Sequence, residues 1–571
     1  MDLKKGEGHY QGAIDDYTRA IALDPNYARA YHNRGNSKHE LGDYKSAIDD
    51  YNRAIILDPI DLIEAAAYST RGVSKGYLGD YKGAIDDHNR AIVLDPNSAA
   101  AYYNRGISKD DLGDYKGAIN DYTRAIVLDP NYATAYVNRG LSKNNLGDYK
   151  GAIDDYTRAI VLDPNNAAAY FNRGSIKREL GDYKGAIDDY TRAIELGPNY
   201  ATAYNSRGKS KHDLGDYKGA IDDYTRAIEL DPNYATAYNS RGISKHYLGD
   251  YKGAINDYNR AIELDPNFAL AYNNRAISKR KLGDYKGAID DYDRAIVLDP
   301  NDPVAYHNRG NSKYELDDYK GAIDDYNKAI ELDPNYTSAY NNRGLSKKNL
   351  GDYKGAIGDY DRAIVLDPND SVAYNNRGTI KHDLGDYKGA IDDYNKAIGL
   401  DPNNATTYYN RAIGKDKLGD YKGAIDDYNK AIELDPNFAS AYNNRGLSKA
   451  ELGDYKGAID DYTKAIILDP NNASAYYNRG ISKRNLGDDK GAEDDFNKKR
   501  IAIIRYFQSS YNDYCINSSD KSVNVYGIWD KKTDNALRDV KKQPTHSKCY
   551  KIYLEYIAEL DSYHKEFLIG G

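Results

Sequence analysis

Proline punctuates this chain at a fixed interval. Pro25, Pro59, Pro96, Pro130, Pro164, Pro198, Pro232, Pro266, Pro300, Pro334, Pro368, Pro402, Pro436 and Pro470 stand 34 residues apart, except for one step of 37 between Pro59 and Pro96. Self-similarity at such a period marks a repeat array, in which each unit buries its apolar face only against its neighbours. Such a chain cannot gather around one central core; it grows lengthwise. The three extra residues lie in the stretch 60–67, ahead of a helix, where they are expected to lengthen a loop or a helix start. The aromatic composition agrees: 60 Tyr against 6 Phe and 1 Trp is what one short unit copied many times produces.

Residues 133–166 show the unit clearly. From Ala133 to Leu146 the only helix breaker is Gly140, and Gly147-Asp148 then reads as a turn, with Asp148 as N-cap of the next helix. Tyr149, Ala152, Ile153, Tyr156, Ala159 and Ile160 follow at helical spacing and form one apolar face. Asp163-Pro164-Asn165 ends that helix, because a proline ring disfavours the helical conformation at the residue before it. Each unit is therefore two antiparallel helices joined by short turns. Gly140 and Ala152 are small enough for two helix backbones to approach there.

Tyr136, Gly140, Ala152, Tyr156, Ala159 and Pro164, at this spacing, resemble the tetratricopeptide repeat family. The resemblance runs over residues 10–500 in about fourteen copies. It implies an all-α, right-handed superhelical solenoid whose first helices line a concave, peptide-binding groove. Two positions depart from the family pattern. Arg139 stands where a leucine is common, and Lys143 where an aromatic residue is common.

The ends of the array differ from its middle. Residues 1–24 hold only the second helix of a partial opening repeat, 25–487 the tandem array, and 488–571 a degenerate last helix plus a small α-helical C-terminal cap or domain. No signal segment precedes His9, so a cytoplasmic location is expected, with cell envelope or secretion the alternative if the true start lies upstream of Met1.

A single sequence built of copies carries its own comparison. The Arg139 position is Arg in all fourteen first helices and the Lys143 position is Lys in all fourteen, while the Asp155 position is Asp in all fifteen second helices. Tyr136, Arg139, Gly140 and Lys143 are spaced i, i+3, i+4, i+7 and share the face turned toward the packed helices. A structural ion pair between Arg139 and Asp155, repeated along the array, is the favoured reading. A basic groove that clamps acidic tails is the alternative.

The opposite face of the first helix varies. The Val137 position holds, among others, Tyr103, Phe171, Tyr409 and Tyr477, and the Leu141 position mixes aliphatic with polar residues. Only the Asn138 position is steady. Asn33, Asn104, Asn138, Asn172, Asn274, Asn308, Asn342, Asn376, Asn410, Asn444 and Asn478 occupy it in eleven units, and Thr70, Ser206 or Ser240 in the others. An amide both donates and accepts, which suits an extended peptide backbone of any sequence. The row is similar to the asparagine ladder in the repeat domain of O-linked N-acetylglucosamine transferase. It reads equally well as a set of hydrogen bonds between neighbouring repeats. The four aromatic residues would add contact area to a groove.

Other chemistry finds no footing in the residues. A net charge of −9 without a basic stripe argues against nucleic acid. No apolar run approaches the roughly 20 residues of a membrane span. Asp299-Pro300-Asn301-Asp302 lacks the glycine and later Glu of a calcium loop, and His212, His246 and His382 read as isolated on exposed helix positions. No metal, cofactor or catalytic constellation is expected. After residue 500, helices are expected over Ile501–Tyr514, Lys531–Lys542 and Cys549–Phe567. Tyr526-Gly527-Ile528-Trp529, with Thr533 and Ala536, weakly resembles a small peptidoglycan-binding module. The expected function is a non-enzymatic scaffold for protein or peptide ligands, its oligomeric state open. A glycan-tethered envelope adaptor and a docking subunit of an enzyme complex are the alternatives.

Overall fold

The computed structural model describes residues 2–57 and 62–514, and their regular structure is entirely helical. It comprises two compact units, Met1–Leu298 and Asp299–Gly571. Within each, first helices of 13 residues such as Ala133–Asn145 alternate with second helices of 14 residues such as Tyr149–Leu162. The three extra residues extend a helix start: Leu62–Tyr77 has 16 residues.

The turns follow from sequence. The Asp148 side chain accepts from the Gly151 N–H at 3.0 Å, satisfying a donor that the helix itself leaves free. At the same turn, Asp148 N–H donates to the Lys143 carbonyl at 2.9 Å, with Gly147 in the left-handed region at φ 79°. This is the cap that favours glycine. Asp317 fills the corresponding position at φ 61°. After the second helix, Asn165 N–H donates to Asp163 Oδ1 at 3.1 Å, closing the Asp-Pro-Asn turn.

The core is a repeated small-against-large contact. Ala152, Ala159 and Tyr156 are fully buried, and so are their counterparts in most units. The backbones do not meet at Gly140, as the sequence reading expected. Instead the Tyr156 ring lies across it, and a Cβ there would stand 2.9 Å from Tyr156 Cε1. A ring of that size needs the space a side chain would take, which fixes glycine or, at Ala276 and Ala412, alanine at this position. First helices of successive repeats also touch one another, as Ala133–Asn145 touches Ala99–Asp111, so the first helices line one side of each unit.

At the C-terminal end, Asp489–Tyr514 is one continuous helix of 26 residues that joins the degenerate second helix to the helix expected from Ile501. The helices expected over Lys531–Lys542 and Cys549–Phe567, and the motif around Trp529, lie outside the described residues.

One unit breaks the tyrosine rule. His88 replaces the Tyr156-type ring, packs on Gly72 and is buried, so burial pushes its pKa down to about 4. The unfolded chain then takes up the proton first as pH falls. The stability tied to neutral His88 is present above pH 6.5 and lost as pH drops toward 4. The loss is on the order of 3 kcal/mol. Amide protection factors, corrected for the intrinsic pH dependence of exchange, are expected to fall sharply in helices Leu62–Tyr77 and Tyr81–Leu94 between pH 7 and 4.5. His88→Tyr should remove that loss of protection.

Candidate functional site

Each repeat encloses a buried carboxylate held by two cations. Asp155 comes from the second helix and Arg139 from the first. Arg139 Nε donates to Asp155 Oδ2 at 2.9 Å and Nη2 to Oδ1 at 2.6 Å, the bidentate geometry a guanidinium fits best. Lys143 Nζ lies 2.8 Å from Asp155 Oδ2 and 3.3 Å from the Gly151 carbonyl. The Arg139 guanidinium also stacks over the Tyr136 ring at 5.4 Å, adding a cation–π contact. The same arrangement recurs from Arg34, Lys38 and Asp50 to Arg479, Lys483 and Asp495. At Asp495, burial pushes the carboxyl pKa upward, but hydrogen bonds and charge from Arg479 and Lys483 outweigh it and hold the group below its ordinary value.

A second bond from the arginine joins repeat to repeat. Arg139 Nη1 donates to Thr123 Oγ1 of the preceding second helix at 3.1 Å, and Arg275 does the same to Asn259 Oδ1 at 2.7 Å. The sequence reading missed this position, although a signal was available: it is always Thr, Asn or Asp. Both fixed cations are thus committed to groups inside the array.

The Asn138-type residues all lie half-buried on the first-helix face. Several bond across to the preceding repeat. Asn138 Nδ2 donates to Tyr103 OH at 2.9 Å, Asn274 to Asn239 Oδ1 at 3.1 Å, and Asn342 to His307 Nε2 at 3.0 Å. Asn410, Asn444 and Asn478 bond likewise to Asn375, Tyr409 and Asn443. By contrast, Asn172 faces Val137, which offers no acceptor, and no side-chain hydrogen bond is formed by Asn104, Asn172 or Asn308 among the described residues.

The aromatic residues of this face pack on a third position that the sequence reading did not identify, the residue just before each first helix. Tyr103 lies 4.8 Å from Tyr132, Phe171 5.0 Å from Tyr200 and Tyr409 4.7 Å from Phe438, between ring centroids. Tyr477 packs against Phe496 at 5.8 Å. The histidines are neither isolated nor exposed. His212 and His246 are half-buried, with Nδ1 at 2.9 and 2.8 Å from Ser244 and Ser278 Oγ, and His382 packs on Tyr387 at 5.2 Å. Burial, the largest influence on both, lowers the pKa of His212 and His246. No helix among the described residues is long and apolar enough to cross a membrane.

The paired geometry makes the ion network measurable. In Arg241 and Asp257 the same bonds are 3.0 and 2.7 Å. Asp257→Asn should destabilise unit Met1–Leu298 by about 3–5 kcal/mol, because it leaves two cations without their carboxylate, and Arg241→Ala should cost less, because Lys245 still lies 2.8 Å from Asp257. Their effects should be strongly non-additive in a double-mutant cycle read by urea denaturation.

Comparison with known proteins places the geometry in context. A family model described as TPR repeat matches residues 6–42, 77–108, 111–146, 143–177, 174–215, 208–246, 244–279, 278–317, 310–351, 378–413, 417–453 and 449–487. Models described as tetratricopeptide repeat match 28–61, 337–370 and 359–392. No curated protein matches the chain. Among solved structures, it is similar to a chain of the APC/C hetero-tetramer Cut9–Hcn1 at 18% identity, covering 82% of this chain and 98% of that one, with a TM-score of 0.38. Yeast Tom70 is similar at 20% identity, with 83% and 96% covered and a TM-score of 0.34. YrrB, a TPR protein with an unusual peptide-binding site, is similar at 25% identity, with 33% and 96% covered and a TM-score of 0.30. With family-model matches over most of its length, the chain belongs to the tetratricopeptide repeat family.

Proposed function

We propose that this protein is a non-enzymatic scaffold that binds extended segments of other proteins along its first-helix face. The observation that carries this reading is a division of labour within the repeat. The invariant charges are spent inside the array, each on a neighbouring carboxylate, hydroxyl or amide. The residues that change from copy to copy are collected on the half-buried outer face of the first helices. Packing does not require that diversity, and a surface that reads a partner does.

The asparagines fit this reading alongside their inter-repeat bonds. An amide that donates one N–H to the preceding repeat keeps a second N–H and its carbonyl lone pairs, enough to meet a peptide backbone. Asn104, Asn172 and Asn308 have all of that capacity, since they bond to no neighbouring side chain among the described residues.

These three residues separate binding from stability. The triple variant Asn104→Ala, Asn172→Ala, Asn308→Ala should keep the thermal midpoint of the unchanged chain within about 2 °C, because no internal side-chain bond is removed. It should lose at least about tenfold in affinity for partners captured by the unchanged protein, measured by calorimetry. Equal affinity in both would sink the asparagine role.

A further inference from the structure

Two repeats, one in each compact unit, share a constellation that places a carboxylate and a tyrosine on the first-helix face. In the first, Tyr103 OH accepts from Asn138 Nδ2 at 2.9 Å, and Ser142 Oγ donates to Asp110 Oδ1 at 2.6 Å. In the second, Tyr409 OH accepts from Asn444 Nδ2 at 3.1 Å, and Ser448 Oγ donates to Asp416 Oδ1 at 2.7 Å. Below each pair lies a buried tyrosine, Tyr122 at 5.7 Å from the Tyr103 ring and Tyr428 at 5.9 Å from the Tyr409 ring. Tyr428 OH donates to Asp416 Oδ2 at 2.7 Å. A second ring flanks each outer one, Tyr132 and Phe438 respectively.

What both sites lack among the described residues is an ion-pair partner. Asp110 and Asp416 are half-buried, and neither forms an ion pair among the described residues. Burial, the largest influence on each, raises their pKa values. The Asp155-type carboxylates from Asp50 to Asp495, by contrast, each hold two cations. Each carboxylate accepts from the next repeat's serine, the bond that His212 and His246 make at the same position, but these neutral donors leave its charge unbalanced. Asp stands at this position in only these two of fourteen first helices, and both carry Tyr seven residues earlier. The last repeat shows what such a ring accepts: the Lys499 ammonium sits 4.2 Å from the centre of the Tyr477 ring, the counterpart of Tyr103 and Tyr409.

We propose that Asp110 with Tyr103, and Asp416 with Tyr409, are two subsites for cationic side chains, lysine or arginine, of a peptide bound on the first-helix face. The ammonium or guanidinium supplies the missing counter-charge and lies against the ring, as Lys499 does on Tyr477. This inference rests on the binding role of the first-helix face and names the chemistry that face selects.

The test uses the full chain and two labelled hexapeptides, one alternating glycine with lysine and one alternating glycine with glutamine, read by fluorescence anisotropy. The double variant Asp110→Asn, Asp416→Asn should weaken the lysine peptide at least about tenfold. The glutamine peptide should bind both forms alike. Asp154→Asn with Asp460→Asn removes the same charge from exposed positions on second helices and should change lysine-peptide affinity less than about twofold. The Asp110/Asp416 variant should also keep or raise its thermal midpoint. The subsites are overturned if the two peptides bind the unchanged chain equally, if the exposed-site control loses as much affinity, or if the midpoint falls, which would make the carboxylates structural. Binding of neither peptide overturns the groove role as well; equal binding of both overturns the subsites alone.

Discussion

The buried aspartate at the centre of each repeat is the constraint on which the rest depends. A carboxylate with so little exposure must be paired and hydrogen-bonded, or it destabilises its surroundings by several kcal/mol. Arg139 meets it with two bonds and Lys143 with a third, and both come from the same helix face. That requirement sets the rotation of the first helix against the second, because any other face leaves the charge unpaired. The arginine then has one nitrogen left for the preceding repeat, so a single side chain organises the unit and joins it to the next.

Because each unit contacts only its neighbours, local exceptions have local consequences. His88 introduces acid sensitivity into one repeat by replacing a tyrosine that would be silent at that pH. Asp317 takes a left-handed turn position otherwise held by glycine, and Tyr319 OH donates to its side chain at 2.6 Å. The extra residues before Leu62–Tyr77 lengthen one helix without disturbing the network behind it, where Arg71 still meets Asp87 at 2.6 Å. An array of this construction tolerates divergence on its first-helix face, because the buried ion network is built from other positions.

That freedom gives the first-helix face its chemical variety. Tyrosine, phenylalanine, asparagine and histidine alternate at the Val137 position, and each finds a different partner in the adjoining repeat. The Asn138 position carries a hydrogen bond to the preceding repeat in several units, as to Tyr103 and Tyr409, and none in others, as opposite Val137 and Asn273.

By itself the sequence determined the repeat length, the two helices of each unit, the capping aspartate, the turn proline and the Arg139–Asp155 pairing, because the periodic chemistry of helix ends and apolar faces is local and this chain repeats it. The tertiary structure decided what lies across helices. It placed the Tyr156 ring, not a backbone, on Gly140; it joined Lys143 to the same carboxylate as Arg139; it bonded Asn138 to Tyr103 and Arg139 to Thr123; and it left Asp110 and Asp416 without an ion pair among the described residues. These contacts join residues from 12 to 35 positions apart on different helices, and their partners depend on how one helix rotates against the next. Periodicity shows that two faces meet, and only the packed helices show which atoms do.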